Sequence, residues 1–288
     1  MPNFESVTRQ TDLPLKKPFD LKGIRHMSLQ LRLSTRELFS LTALLLLAFS
    51  ASLGMPFNID AIAVSFGVTN TLAGLVASVE MASIAAGNLI IAKQVARFSA
   101  QRIYVGGVLL VVSFNVLSIV APSTDWLMMC RAPAGFALGA VVATVMTTAG
   151  RSHQPELTFG VINSMVGVMG VFIAFVLPRA LELHLFFSDR VGWSEVDGLY
   201  AVYALFSMLA LFFVASTPVG ESSGSSCETE RKAGSMIGWF GLIGLGVIFF
   251  GHGTLALFMV KIGRGLFLSP QEIGYVFMAG SFLGIGLP

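Results

Sequence analysis

Long apolar runs separated by short polar stretches organise this chain from residue 36 onward. The runs cover 38–62, 72–92, 103–121, 126–150, 157–178, 198–215 and 236–260, and an eighth begins near Gln271 and continues to Pro288. A helix rises about 1.5 Å per residue, so crossing about 30 Å of hydrocarbon takes roughly 20 apolar residues. Each run is therefore predicted to span a bilayer as a helix, because i to i−4 bonding satisfies the backbone where no water is present. A membrane barrel would show alternating segments of about ten residues instead. Neither the leucine run 44–47 nor the apolar run 108–112 alternates. The pattern predicts an all-α, polytopic transmembrane helix bundle.

Composition strengthens this reading. Of 288 residues, 55% are hydrophobic and 12% charged, against about 25% charged in soluble domains. A net charge of +2, with no basic patch interleaved with aromatics, argues against a nucleic-acid partner. The expected partners are the lipid bilayer and a small molecule. The placement of Lys and Arg adds orientation. With the N-terminus inside, the cytoplasmic segments hold the basic residues of the tail together with Arg36, Lys93, Arg97, Arg102, Arg151, Arg231 and Lys232. The opposite side holds Arg179, Arg190, Lys261 and Arg264, and Arg131 falls within a span. The positive-inside rule then predicts a cytoplasmic N-terminus in a plasma or bacterial inner membrane.

Residues 1–35 lack the apolar core of a secretory signal and read as a cytoplasmic tail; an interfacial helix near 21–33 is the alternative. A start at Met27 would leave the spans intact. Residues 216–235, rich in Gly, Ser and Glu, read as a cytoplasmic linker between the six-helix bundle 36–215 and the partial bundle 236–288. Cys130 lies in a span and Cys227 in that linker, so they are not expected to pair. A shift of 200 residues superimposes Gly74 on Gly274, Val76 on Val276, Phe49 on Phe249 and Thr69 on Ser269. Parallel repeats of this kind occur in transporters.

Ionisable groups inside spans carry whatever mechanism there is, since each costs at least about 2.5–3.5 kcal/mol at the bilayer centre. Glu80 lies about 12 Å below the outer end of its span and Arg131 about 7–8 Å below the outer end of its own, at 1.5 Å per residue. His252 lies about 12 Å from an outer end and Asp60 close to one, by the same count. One reading is a wet cavity in which Arg131 binds an anion or tunes a proton-carrying Glu80; the other is a structural Glu80–Arg131 ion pair. Asp60 reads first as a solvated helix end and second as part of the pathway. His252 is either a neutral residue bonded to a neighbouring helix or part of the cavity. Small residues at helical spacing, including Gly135 with Gly139 and Gly160 with Ser164 and Gly167, predict close helix packing. Asn88, Asn115 and Asn163 read as interhelical glue.

Six spans, a polar central loop and a restarted pattern resemble the major facilitator superfamily over residues 35–288. The strongest element is Arg131-Ala132-Pro133-Ala134-Gly135-Phe136-Ala137-Leu138-Gly139-Ala140, similar to the family's fourth-helix motif. Gly192-Trp193-Ser194 is similar to the usual lead into the sixth helix. The resemblance implies a six-helix N-terminal half plus the start of a second half, and makes Lys93, Arg97 and Arg102 gating-loop candidates. That loop lacks the family's acidic partner, and the Gly-Pro signature of antiporter fifth helices is missing; Pro178 is read as the end of that span. The family's twelve or so helices imply that this chain is a fragment ending in its eighth, expected to insert without supporting solute flux.

A transporter is favoured over two other classes. A channel would carry a ring of charges or a carbonyl filter, and no such short motif is visible. For an enzyme, the four histidines His26, His153, His184 and His252 are scattered, without metal spacing, nucleophile elbow or phosphate loop. No cofactor is implied. The expected function is secondary active transport of a small organic solute, with protons as the candidate coupling ion.

Overall fold

The computed structural model describes residues 33–95, 97–218 and 258–286. The tail, the central linker, most of the seventh span and His252 lie outside the described residues. The elements are α1 (Thr35–Leu53), α2 (Met55–Phe66), α3 (Asn70–Gln94), α4 (Ala100–Ile119), α5 (Thr124–Gly150), α6 (Pro155–Val191), α7 (Glu195–Val214), α8 (Met259–Gly265) and α9 (Pro270–Gly286). Among the described residues, six helices are long and apolar enough to cross a membrane.

Helix starts are fixed by short polar side chains. Ser34 and Glu37 form a capping box at α1, with the Ser34 N–H donating to Glu37 Oε2 at 2.7 Å. Ser123 accepts from the Trp126 N–H at α5, and Ser194 with Asp197 opens α7. Each satisfies donors that a helix leaves free in its first turn. The 200-residue repeat reappears at this level. Thr69 accepts from the Leu72 N–H at α3, and Ser269 accepts from the Glu272 N–H at α9.

Two spans differ from expectation. The run 38–62 is not one helix but divides at Gly54, with Pro56 in the first turn of α2. Proline has no N–H to bond the carbonyl four residues back, so the ladder is interrupted there. Gly54 also makes room for a neighbour: a Cβ at this position would collide with the Tyr203 hydroxyl and with Leu177. The fifth span does not end at Pro178; α6 runs through it for 37 residues. The missing N–H leaves the Ala174 carbonyl without its helical donor, and α9 packs against that point. A Cβ on Gly274 would strike the Ala174 oxygen and the Pro178 ring. Transmembrane helices tolerate proline where a neighbouring helix covers the exposed backbone.

The tightest interface joins α3 and α5. A side chain on Gly135 would run into the Glu80 carbonyl, one on Gly139 into that of Ile84, and one on Gly87 into that of Phe136. Backbones therefore approach from both sides, as the small-residue spacing predicts. The Gly160 end of the α6 seam, in contrast, meets open space. One apolar cluster, with Phe57, Ile62 and Leu127, fills the end where α2 meets α3. A second, with Leu41, Val108 and Val145, fills the end where α3 meets α4. Leu109, Leu110, Val116 and Leu117 of α4 remain exposed, as a lipid-facing surface requires.

Candidate functional site

Glu80 of α3 and Arg131 of α5 meet inside the bundle. Arg131 Nη2 donates to Glu80 Oε1, and each side chain is only 2% exposed. The Gly135–Glu80 backbone contact holds the two helices close enough for this pairing. Arg131 Nη1 also donates to Asn115 Oδ1 at 2.7 Å, and its guanidinium lies 4.9 Å from the centre of the Tyr200 ring. Asn115 in turn donates to the Tyr203 carbonyl at 3.2 Å and to Ser207 Oγ at 3.4 Å. The Tyr203 hydroxyl donates to Asn58 Oδ1 at 3.0 Å. One buried network thus ties α2, α3, α4, α5 and α7 together.

Attraction between the charges in a low-dielectric interior offsets the several kcal/mol needed to desolvate each ion only when geometry and additional hydrogen bonds are good. Here the planar guanidinium is shared among a carboxylate, an amide and a ring face, which suits Arg and not Lys. Two buried donors of this network, Arg131 Nε and Asn58 Nδ2, have no hydrogen-bond partner among the described residues. The network therefore retains donor capacity for an acceptor that enters or rearranges within it.

Asp60 is not a solvated helix end. It is 7% exposed and paired with Arg264 Nε at 2.7 Å. Arg264 Nη2 also meets Glu195 Oε2 at 2.9 Å. Lys93, Arg97 and Arg102 stand exposed at the α3–α4 end and join none of the ion pairs among the described residues. Asn163 is exposed, whereas Asn115 does link helices. A cleft of about 750 Å³ opens beside α2 and α3, lined by Met55, Ile59, Thr71, Ser78, Met81 and Phe258. Glu80 faces away from it, so the cleft and the ion pair are separate features.

Tyr200, Tyr203, Asn58, Glu195 and Arg264 are not among the residues that the sequence singles out. The tyrosines carry a usable signal: two of the chain's four lie three residues apart in one apolar span. Such spacing puts both on one face of a helix. Arg264 carries none, because its partners lie far away along the chain.

A family model described as Major Facilitator Superfamily matches residues 39–288. No curated protein matches the sequence. Among solved structures, the chain is similar to a POT family transporter in complex with a thioalcohol-conjugated peptide, at 17% identity and a TM-score of 0.52, covering 80% of this chain and 49% of that one. It is also similar to a bacterial homologue of the human drug peptide transporters PepT1 and PepT2, at 15% identity and a TM-score of 0.56, covering 87% and 52%. The chain spans about half the length of these structures.

Proposed function

The chain belongs to the Major Facilitator Superfamily and is an integral, multi-pass membrane protein; from that premise we propose that it serves secondary active transport of a small organic solute by alternating access, with Glu80 carrying the coupling proton. The observation behind this reading is the buried Glu80–Arg131 pair and its ties to Asn115 and Tyr200. A carboxylate inside a span is costly unless it is paired. It is stable while Arg131 holds it, and it becomes a proton acceptor when a solute or a helix movement draws Arg131 away. The spare donor on Arg131 Nε would donate to an oxygen of the arriving solute. Lys93, Arg97 and Arg102 would lie on the cytoplasmic face, where they would attract anionic headgroups and define the inner rim. The activity is transport and not catalysis.

The test is solute uptake in proteoliposomes by a full-length transporter that carries these residues, with the solute chosen by thermal-shift screening of the purified protein and uptake normalised to inserted protein. Glu80→Gln keeps shape but cannot release a proton. It is expected to abolish uphill accumulation while sparing exchange. Arg131→Lys is expected to lower both, because the planar fork that reaches Glu80 and Asn115 together is lost. If the pair is scaffold only, both variants will lower folded yield while transport per folded molecule stays at the parental value.

A further inference from the structure

Arg179 is a cation on a side of α6 that the core does not use. It follows Val168, Phe172 and Phe175 at alternating spacings of four and three residues, which puts all four on one side of the helix. Val168, Phe172 and Phe175 are exposed, whereas Ile173, Leu177 and Leu181 carry the core side. This part of α6 approaches the α2–α3 end, where the Val196 N–H just beyond it donates to Ser65 Oγ of α2. Arg179 lies about 33 Å along the helix from Leu157 at 1.5 Å per residue, and about 30 Å of hydrocarbon gives way to headgroups at that depth.

The guanidinium does not reach outward. It turns back along α6, with Nη1 donating to the Phe175 carbonyl at 2.7 Å and Cζ 3.7 Å from the centre of the Phe175 ring. Nη2 donates to the Tyr275 hydroxyl of α9 at 3.4 Å. Arg179 enters none of the ion pairs among the described residues. Glu182, one turn toward the helix end, is engaged through both oxygens by Gln271 at 3.0 and 2.8 Å. Most of the donors of the Arg179 fork therefore stay free, and the Tyr275 hydroxyl, which accepts from Arg179, keeps its own proton to donate. A cation at the edge of hydrocarbon calls for an anionic partner. The anion abundant at that depth is the phosphate of the bilayer itself.

We propose that Arg179 and Tyr275 form a binding site for the phosphate of a membrane phospholipid in the leaflet at the α2–α3 end. The free N–H groups of Arg179 and the Tyr275 O–H donate to phosphate oxygens, while the Phe175 ring holds the guanidinium from below. An acyl chain of the same lipid follows Phe175, Phe172 and Val168 inward. From Arg179 to Val168 is about 16 Å along the helix, about half of the hydrocarbon, so the apolar stripe matches one leaflet. Because α6 precedes the central linker and α9 follows it, one lipid ties the two together. Neither a transported solute nor a coupling proton takes part, so the site stands apart from the transporter reading.

The test is lipid binding by the 288-residue chain purified in dodecyl maltoside. Native mass spectrometry during titration with dioleoylphosphatidylglycerol is expected to show one lipid held more tightly than later ones. Dioleoylglycerol, with the same chains and no phosphate, is expected not to take that place. Arg179→Gln should weaken the first lipid by about tenfold or more and Tyr275→Phe by about threefold, as for a charge-assisted and a neutral hydrogen bond. Arg179→Lys keeps a cation for the phosphate and should stay close to the parental affinity. A titration with no distinct first lipid, parental affinity in Arg179→Gln, or equal affinity for dioleoylglycerol would each overturn the site. Displacement of the lipid by inorganic phosphate would overturn it too, by reassigning the fork to a free anion. If Arg179→Gln does not fold, a phosphatidylglycerol with a photoreactive group in mid-chain decides. In the parental protein it should label the stretch Val168–Phe175, and adducts confined to other helices would sink the proposal.

Discussion

At the scale of single residues, Arg131 shows how differently one side chain and a pair behave. Removing one partner of a buried ion pair leaves the other charge uncompensated, at a cost of about 3–5 kcal/mol, whereas replacing both by apolar groups is often neutral. Arg131→Ala should therefore lose most of its thermal stability in detergent, while Glu80→Leu with Arg131→Leu should recover it. Unfolding followed by tryptophan fluorescence measures both, and a double variant no more stable than the single one would contradict a mutually compensating pair. Glu80 and Arg131 are legible as sites because charge in an apolar run is conspicuous. Their shared burial is not, since sequence gives depth along each helix but not the direction in which a side chain points. Asp60 illustrates the same limit: its depth suggests water, but Arg264 covers it.

Helices are legible wherever hydrophobic length decides the outcome. The spans expected at 72–92, 103–121, 126–150 and 198–215 correspond to α3, α4, α5 and α7 within a few residues. Interruptions and continuations are harder to see, because an apolar run looks the same whether or not its backbone ladder is broken. Gly54–Pro56 breaks the first run, and Pro178 fails to break the fifth. Local residue type points the wrong way for Pro178, and the neighbouring α9 determines the outcome. Glycine spacing is legible in the same uneven manner. Gly139 is pressed against the α3 backbone, while Gly160 has nothing within 4 Å. Gly139→Leu should consequently force α3 and α5 apart and broaden or abolish the monodisperse peak in detergent gel filtration. Gly160→Ala should leave that peak unchanged, and comparable damage from both would refute a packing role confined to the α3–α5 seam.

For the whole molecule, we propose from the distribution of Lys and Arg that the α3–α4 end and the linker face the cytoplasm. An impermeant thiol reagent should spare Cys227 in intact cells and modify it after permeabilisation; rapid labelling of sealed cells would reverse the orientation. The bundle as a whole is the most legible level, since a hydrophobic solvent imposes helices on any sequence that enters it. The length of α6 sets how the bundle sits in that solvent. With 37 residues, α6 is about 55 Å long, against about 30 Å of hydrocarbon and an average tilt of only about 20°. Its last turns must stand among the lipid headgroups, where Phe186 is 76% exposed beside Leu185 and Phe187. Phe187 lies against Trp193 at 5.0 Å, and the amphipathic indole favours that interface, so α6 is moored at one end while the hydrophobic thickness varies around the rest. Because α6 bears on α9 at Pro178 and Gly274, a thicker or thinner bilayer would act as a mechanical load on the contact between the first bundle and α9, making membrane composition itself an input to the balance between states.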